Sequence, residues 1–159
     1  MGAWGYKNFE NDTAMDWYSE LNESPDKELL YPYLEQIIKE EEFIDDEESF
    51  ISLAILEALG GKLGLIDSKF SLPQIDDMDI VYLQEIVLKA SKKLLFFKAH
   101  SELRELWEDS EDYDSWFNYQ VDILYKLEKH FKKYGFMDVL EFDENIEEQW
   151  KQCIKEQYE

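Results

Sequence analysis

Cysteine is nearly absent. Cys153 stands alone, which excludes an internal disulfide and any multi-cysteine zinc or iron–sulfur site within one chain. Histidine is scarce too, and His100 and His130 leave little material for a transition-metal centre. No apolar run approaches the roughly 18 residues of a membrane span. The opening residues Met1-Gly2-Ala3-Trp4-Gly5-Tyr6 carry neither the basic n-region nor the apolar h-region of a secretory signal, so a cytoplasmic protein is expected. Cations are short as well: 16 Lys and Arg stand against 38 Asp and Glu, a net charge of −22. That field repels nucleic acid, whose phosphates need cationic side chains to displace counterions. It also repels anionic membrane surfaces. Neither nucleic acid nor a membrane is expected as a partner. A basic protein is favoured, because charge of this sign steers such a partner inward.

The motifs of chemistry are missing in turn. There is no G-x-x-x-x-G-K-[ST], no G-x-G-x-x-G after a strand, no G-x-S-x-G and no H-E-x-x-H. Cys153 shares an apolar helix face with Trp150 and Ile154, which reads as a small core hydrophobe rather than a nucleophile awaiting a histidine. The runs Glu40-Glu41-Glu42 and Asp45-Asp46-Glu47-Glu48 lack the glycine and the alternating spacing of a calcium loop. Asp76-Asp77-Met78-Asp79 reads as a helix N-cap cluster. The expectation is therefore a protein without cofactor, without metal and without catalysis.

What is present is helical periodicity. The apolar share of 45% and the aromatic share of 16% suffice for a core. Asn11-Asp12-Thr13 offers caps for a first helix through Leu21, with Ala14, Trp17, Tyr18 and Leu21 on one face. Ser24-Pro25 reads as an N-cap and first-turn proline of a second, with Pro32 able to delay its start by a turn. The acids at 45–48 suit a helix N-terminus, and Phe50 to Leu59, apolar on nearly every side, predicts the central buried helix, ended by Gly60-Gly61. Residues 62–78 read as the longest irregular connection. Further helices are expected from Asp79 (Leu83, Val87, Leu94), Ser101 (Leu103, Leu106, Trp107), Asp112 (Trp116, Leu124, Phe131, Tyr134) and Asp143 (Ile146, Trp150). The sum is an all-α fold: a single compact bundle of about seven helices spanning residues 1–159, with at most one minor strand near 137–142.

Charge is unevenly spread. Residues 1–80 hold 20 acidic and 5 basic side chains, residues 81–159 hold 18 and 11. Two segments concentrate the acid, Glu35 to Glu48 and Glu102 to Asp114, the second interleaved with Trp107 and Tyr113. Aromatic anchors among carboxylates are what a recognition surface for a basic protein uses. The competing reading buries Trp107 in the core and leaves the charges to solubility.

Two stretches resemble a known family. The opening Met1-Gly2-Ala3-Trp4-Gly5, with Phe9, the Asn11-Asp12 pair and Asp16-Trp17, resembles the start of a bacterial family, domain of unknown function 4259. Ser101-Glu102-Leu103-Arg104-Glu105-Leu106-Trp107 is similar to its later S-E-L-x-E-L-W signature; Lys7 departs from the glycine expected there. The resemblance implies a small helical intracellular domain and supplies no activity. A looser likeness, in size, charge and fold class, links the chain to small acidic proteins encoded beside polymorphic toxins. The shared opening reads structurally: Trp4 and Phe9 pin the segment to the core, and Asn11-Asp12 caps the first helix.

The functional expectation is an acidic binding domain, an immunity protein that occludes a basic toxin such as a nuclease. Its contact residues are Glu40, Glu41, Glu42, Asp45 and Asp46 first, and Glu105, Glu108, Asp109 and Asp112 second. The alternatives are a small enzyme with an acidic metal site and a regulatory or scaffold module. Oligomeric state is left open.

Overall fold

The computed structural model describes residues 3–97, 100–134 and 143–159. Seven α-helices stand among them: α1 (Asp12–Glu23), α2 (Tyr31–Lys39), α3 (Asp46–Lys62), α4 (Ile80–Phe96), α5 (Glu102–Glu108), α6 (Tyr113–Lys133) and α7 (Glu144–Tyr158). The fold is all-α. The expected strand near 137–142 lies outside the described residues. A parallel pairing of two residues on two was not foreseen: β1 (Phe43–Ile44) joins β2 (His100–Ser101), Phe43 opposite His100 and Ile44 opposite Ser101.

Helix starts follow the capping oxygens. Asn11 accepts from the Ala14 N–H, Asp79 from those of Val81 and Tyr82, Ser101 from that of Arg104, and Asp143 from that of Ile146. Ser24 does not cap a helix. A single 3-10 turn, Lys27–Leu29, intervenes with Asp26 as its cap, and α2 begins only at Tyr31 with Pro32 in its first turn. Proline there forfeits no hydrogen bond, which moves the start of α2 past the Ser-Pro signal. Gly60 and Gly61 lie inside α3 rather than ending it. At Gly61 a Cβ would stand 3.0 Å from the Phe70 carbonyl, so the returning chain packs directly on the helix backbone. The turn away falls at Gly64, whose φ is +73°.

The core is organised around α3. Every residue from Ser49 to Gly60 is buried, so this helix has no solvent face and must be enclosed on all sides. It packs on α1, α2, α4, α5 and α6, while α4 in turn contacts α2, α6 and α7. The irregular connection after α3 is held by tyrosines. The Tyr18 hydroxyl donates to the Ser71 carbonyl (2.8 Å) and accepts from its N–H (3.1 Å), and Tyr31 accepts from the Asp79 N–H (3.0 Å). Two positions expected on apolar faces are open to solvent instead: Leu106, and Tyr134, which is 58% exposed at the end of α6.

Two polar devices lie inside the bundle. Asn8 and Gln120, both buried, exchange side-chain amide hydrogen bonds (Asn8 Nδ2 to Gln120 Oε1, 2.9 Å), which clamps the opening segment to α6. Lys92, 1% exposed on α4, meets Glu128 of α6 at 2.6 Å and Glu147 of α7 at 3.0 Å, and Trp150 donates its indole N–H to Glu128 at 3.0 Å. Burial by itself pushes the Glu128 carboxyl up. The Lys92 ammonium, the hydrogen bonds from Lys92 and Trp150, and the Lys132 charge outweigh it and hold the group below its ordinary value.

Asn8→Ala leaves Gln120 buried with an unmatched amide. It is expected to cost about 1–3 kcal/mol, seen as a Tm lowered by roughly 3–9 °C in thermal unfolding. Lys92→Met strands two buried carboxylates and is expected to cost about 3–5 kcal/mol at pH 7. Because the folded-state pKa of Glu128 is depressed, its contribution is complete above the ordinary value of 4.5 and is lost as pH falls through the lower folded value. The stability gap between wild type and Lys92→Met, measured by denaturant midpoints, should be widest at pH 7 and close toward pH 3.

Candidate functional site

The acidic loop between α2 and α3 is built by backbone rather than by packing. Glu40 caps the end of α2, and its carboxylate turns back to accept from the N–H groups of Glu42 (3.2 Å) and Phe43 (3.4 Å). Those hydrogen bonds hold its pKa below the ordinary range. Lys93 of α4, itself buried, reaches beneath the loop and donates to the carbonyls of Ile38 (2.9 Å) and Glu40. With the turn held in this way, Glu41, Glu42 and Asp45 face solvent and Asp46 is half-buried at the start of α3.

The two acidic segments, far apart in sequence, meet here. The β1–β2 pairing lays the chain leading into α5 beside the loop, and Glu102 accepts from the Asp46 N–H at 3.4 Å. Glu102, Glu47 and Glu48 thus join a surface predicted from Glu40, Glu41, Glu42, Asp45 and Asp46 alone. Crowding of like charge shows at Glu48, where burial and then the charges of Asp45 and Glu47 push the carboxyl up. Glu105 lies on α5, exposed, and Glu108 receives Arg104 at 3.4 Å. Glu108, Asp109 and Asp112 sit at the far end of α5. Seven helical residues carry the chain about 10 Å, so these three form a separate cluster at the α5–α6 turn rather than an extension of the loop.

The expected aromatic anchors are displaced. Trp107 is 5% exposed and stacks on Trp116 with ring centroids 6.1 Å apart, and Tyr113 is half-buried against Trp116 and Phe117. Trp107 belongs to the packing of α5 on α6, and Tyr113 packs within the first turns of α6. The aromatic ring that does stand among the carboxylates is Phe43, 44% exposed between Glu42 and the buried Ile44. No sequence signal marks it: Phe43 and Ile44 are both apolar, and two residues are too few to establish a period. Cys153 is half-buried against the core, where burial and then Glu156 push its thiol up, away from reactivity.

A concavity lies beside the opening segment. Residues 3–11 close on themselves through an antiparallel bridge between Ala3 and Asn11, the Trp4 N–H on the Glu10 carbonyl (2.9 Å) and the Glu10 N–H on the Lys7 carbonyl (3.1 Å). Phe9 is buried as expected, stacked on Phe70 at 4.0 Å. Trp4 is not pinned to the core: it is 61% exposed. The closed loop holds its ring out at the mouth of a cleft of about 390 Å³. Behind Trp4 lies Glu57, a buried carboxylate of α3 that accepts from the hydroxyls of Tyr119 (2.6 Å) and Ser68 (2.8 Å). Among the described residues no three or more His, Cys, Asp or Glu are grouped to hold a metal ion, and no helix is long and apolar enough to cross a membrane.

No curated protein and no solved structure matches this chain. One family model does, the one described as Domain of unknown function (DUF4259), over residues 2–118. The match takes in the closed opening loop, the acidic loop after α2, all of α5 and its S-E-L-x-E-L-W signature, and the first part of α6. With more than half of its length matched from the first glycine onward, the chain belongs to the family of domain of unknown function 4259.

Proposed function

We propose that the chain is a binding protein for a basic protein partner, which it engages through the loop 40–46 and the adjoining start of α5. The observation that carries this reading is the meeting of the acidic loop with Glu102, at the head of the second acidic segment, through the β1–β2 pairing that includes the solvent-exposed Phe43. Carboxylates spread at random would aid solubility alone. Here the exposed Glu41, Glu42 and Asp45 flank in sequence an exposed apolar ring that gains nothing from water, the pairing of steering charge with an apolar anchor found at protein interfaces. The partner that suits such a surface best is a toxin of the nuclease kind. A nuclease must present cations to phosphate, and a protein that covers those cations with carboxylates blocks the substrate's own contacts. In that role the chain is an immunity protein, acting by occlusion in the cytoplasm.

The Lys93 anchor supports the same reading. It fixes the turn of the acidic loop before any partner arrives, so little ordering entropy remains to be lost on binding. Glu108, Asp109 and Asp112 contribute to the long-range field in this arrangement and not to the contact itself.

The test is a pull-down from the native host with wild type and variants, followed by titration of the recovered partner. Capture of a basic protein is expected, weakened steeply by added salt. Phe43→Ala and the pair Glu42→Lys/Asp45→Lys should each weaken binding by about tenfold or more. Asp16→Lys/Glu23→Lys, which makes the same charge change on exposed positions of α1, should leave it within about threefold. A partner indifferent to salt, or equal losses from both charge-reversed pairs, would show that the loop is not the contact.

A further inference from the structure

The cleft behind Trp4 is unlike the rest of this surface in its charge. The chain carries −22 overall and only five basic residues in its first 80, yet two of those, Lys7 and Lys69, line this one concavity together with Glu10 and Glu57. Local balance of two against two is what a ligand with both charges requires.

The groups are held in place around the cleft. Glu57 accepts from the Tyr119 hydroxyl at 2.6 Å, and Glu10 accepts from the Lys7 backbone N–H at 3.1 Å. Lys69 lies over the Phe70 ring, its ammonium 5.3 Å from the centroid, against the Phe9–Phe70 stack. Trp4 and Met15, both solvent-exposed, form an apolar lip.

Glu57 supplies the reason to look for an occupant. It is buried on a helix with no solvent face, it receives two neutral hydroxyl donors, and among the described residues no cation stands within ion-pair distance of it. A buried carboxylate without a counter-charge is costly to keep. A purely apolar ligand would leave that cost in place, and an anion would add to it. An ammonium group relieves it, and the aromatic walls favour a cation as well.

We propose that this cleft binds a small zwitterion with an aromatic side chain, an α-amino acid in size and charge pattern. Its ammonium is received by Glu57 and Glu10, its carboxylate by Lys69 and Lys7, and its side chain by Trp4 and Met15. The site shares no residue with the acidic loop, so the proposal stands or falls separately from the partner-binding reading.

The probe is L-phenylalanine, with tryptophan fluorescence as the readout. Of the five tryptophans, Trp4 alone is exposed, and Trp17, Trp107, Trp116 and Trp150 are each 5% exposed or less, so a change on titration reports Trp4. A saturable blue shift with a midpoint below about 1 mM is expected, absent in Trp4→Phe. Phenylpropionate, which lacks the ammonium, and phenylethylamine, which lacks the carboxylate, should each bind at least about tenfold more weakly. Glu57→Gln, which keeps one acceptor oxygen and offers an amide donor to the second hydroxyl, should cost a similar factor. Because a buried substitution can unfold the protein, Lys69→Ala on the surface provides the second variant, with the same loss expected. No saturation up to about 10 mM, equal binding of the three probes, loss on removing only one of the two charges, or unaltered binding in both Glu57→Gln and Lys69→Ala would overturn the proposal.

Discussion

A helix that is apolar around its whole circumference cannot rest on a surface; it has to be surrounded, and α3 sets that requirement for the whole chain. Twelve successive buried residues, Ser49 to Gly60, call for walls on every side, and α1, α2, α4, α5 and α6 supply them. Enclosing area of that order is where the folding free energy comes from, at about 25 cal/mol per Å² of apolar surface removed from water. The cost of the arrangement falls on its polar exceptions. Glu57 must find hydroxyl donors within the enclosure, and the first turn of α3 must emerge far enough to keep Asp46, Glu47 and Glu48 partly hydrated. The acidic loop sits where it does because α3 can surface only at its ends.

The order of helices was legible because two signals agree at nearly every boundary: an apolar face with a period of 3.6, and a short polar side chain in front of it. Asn11, Asp79, Ser101 and Asp143 show both. Where the signals came from one residue type alone they misled. Ser24-Pro25 has the composition of a helix start, but the chain there is extended and Asp26 makes the cap. Gly60-Gly61 has the composition of a helix stop, but the demand at that point is close packing by Phe70, which glycine meets without breaking the helix.

The candidate surfaces were legible in part. The acidic residues were visible by count, and Glu41, Glu42 and Asp45 stand exposed on the loop 40–46. Its union with the start of α5 was hidden, because a two-residue strand has no periodicity and Asp46 and Glu102 lie 56 positions apart. Buried charge was hidden for a related reason. Lys92 and Lys93 look like two solvent-facing residues on a helix, and partners distant in sequence, Glu128 and Glu147 for the first and the Ile38 and Glu40 carbonyls for the second, make their burial tolerable. Trp107 takes the buried one of its two readings, whereas Trp4 departs from its expected place in the core. A tryptophan's size argues for the core in both cases, but Trp107 has Trp116 to stack on, whereas Trp4 is carried outward by a loop whose own hydrogen bonds close before the ring can turn in.

The amide pair between Asn8 and Gln120 bridges 112 positions. A contact of that span cannot form until most of the chain exists, since its loop-closure entropy has to be met by everything folded between. During synthesis that clamp therefore closes only after α6 has left the ribosome, and the cleft that Trp4 borders gains its Tyr119 wall no earlier.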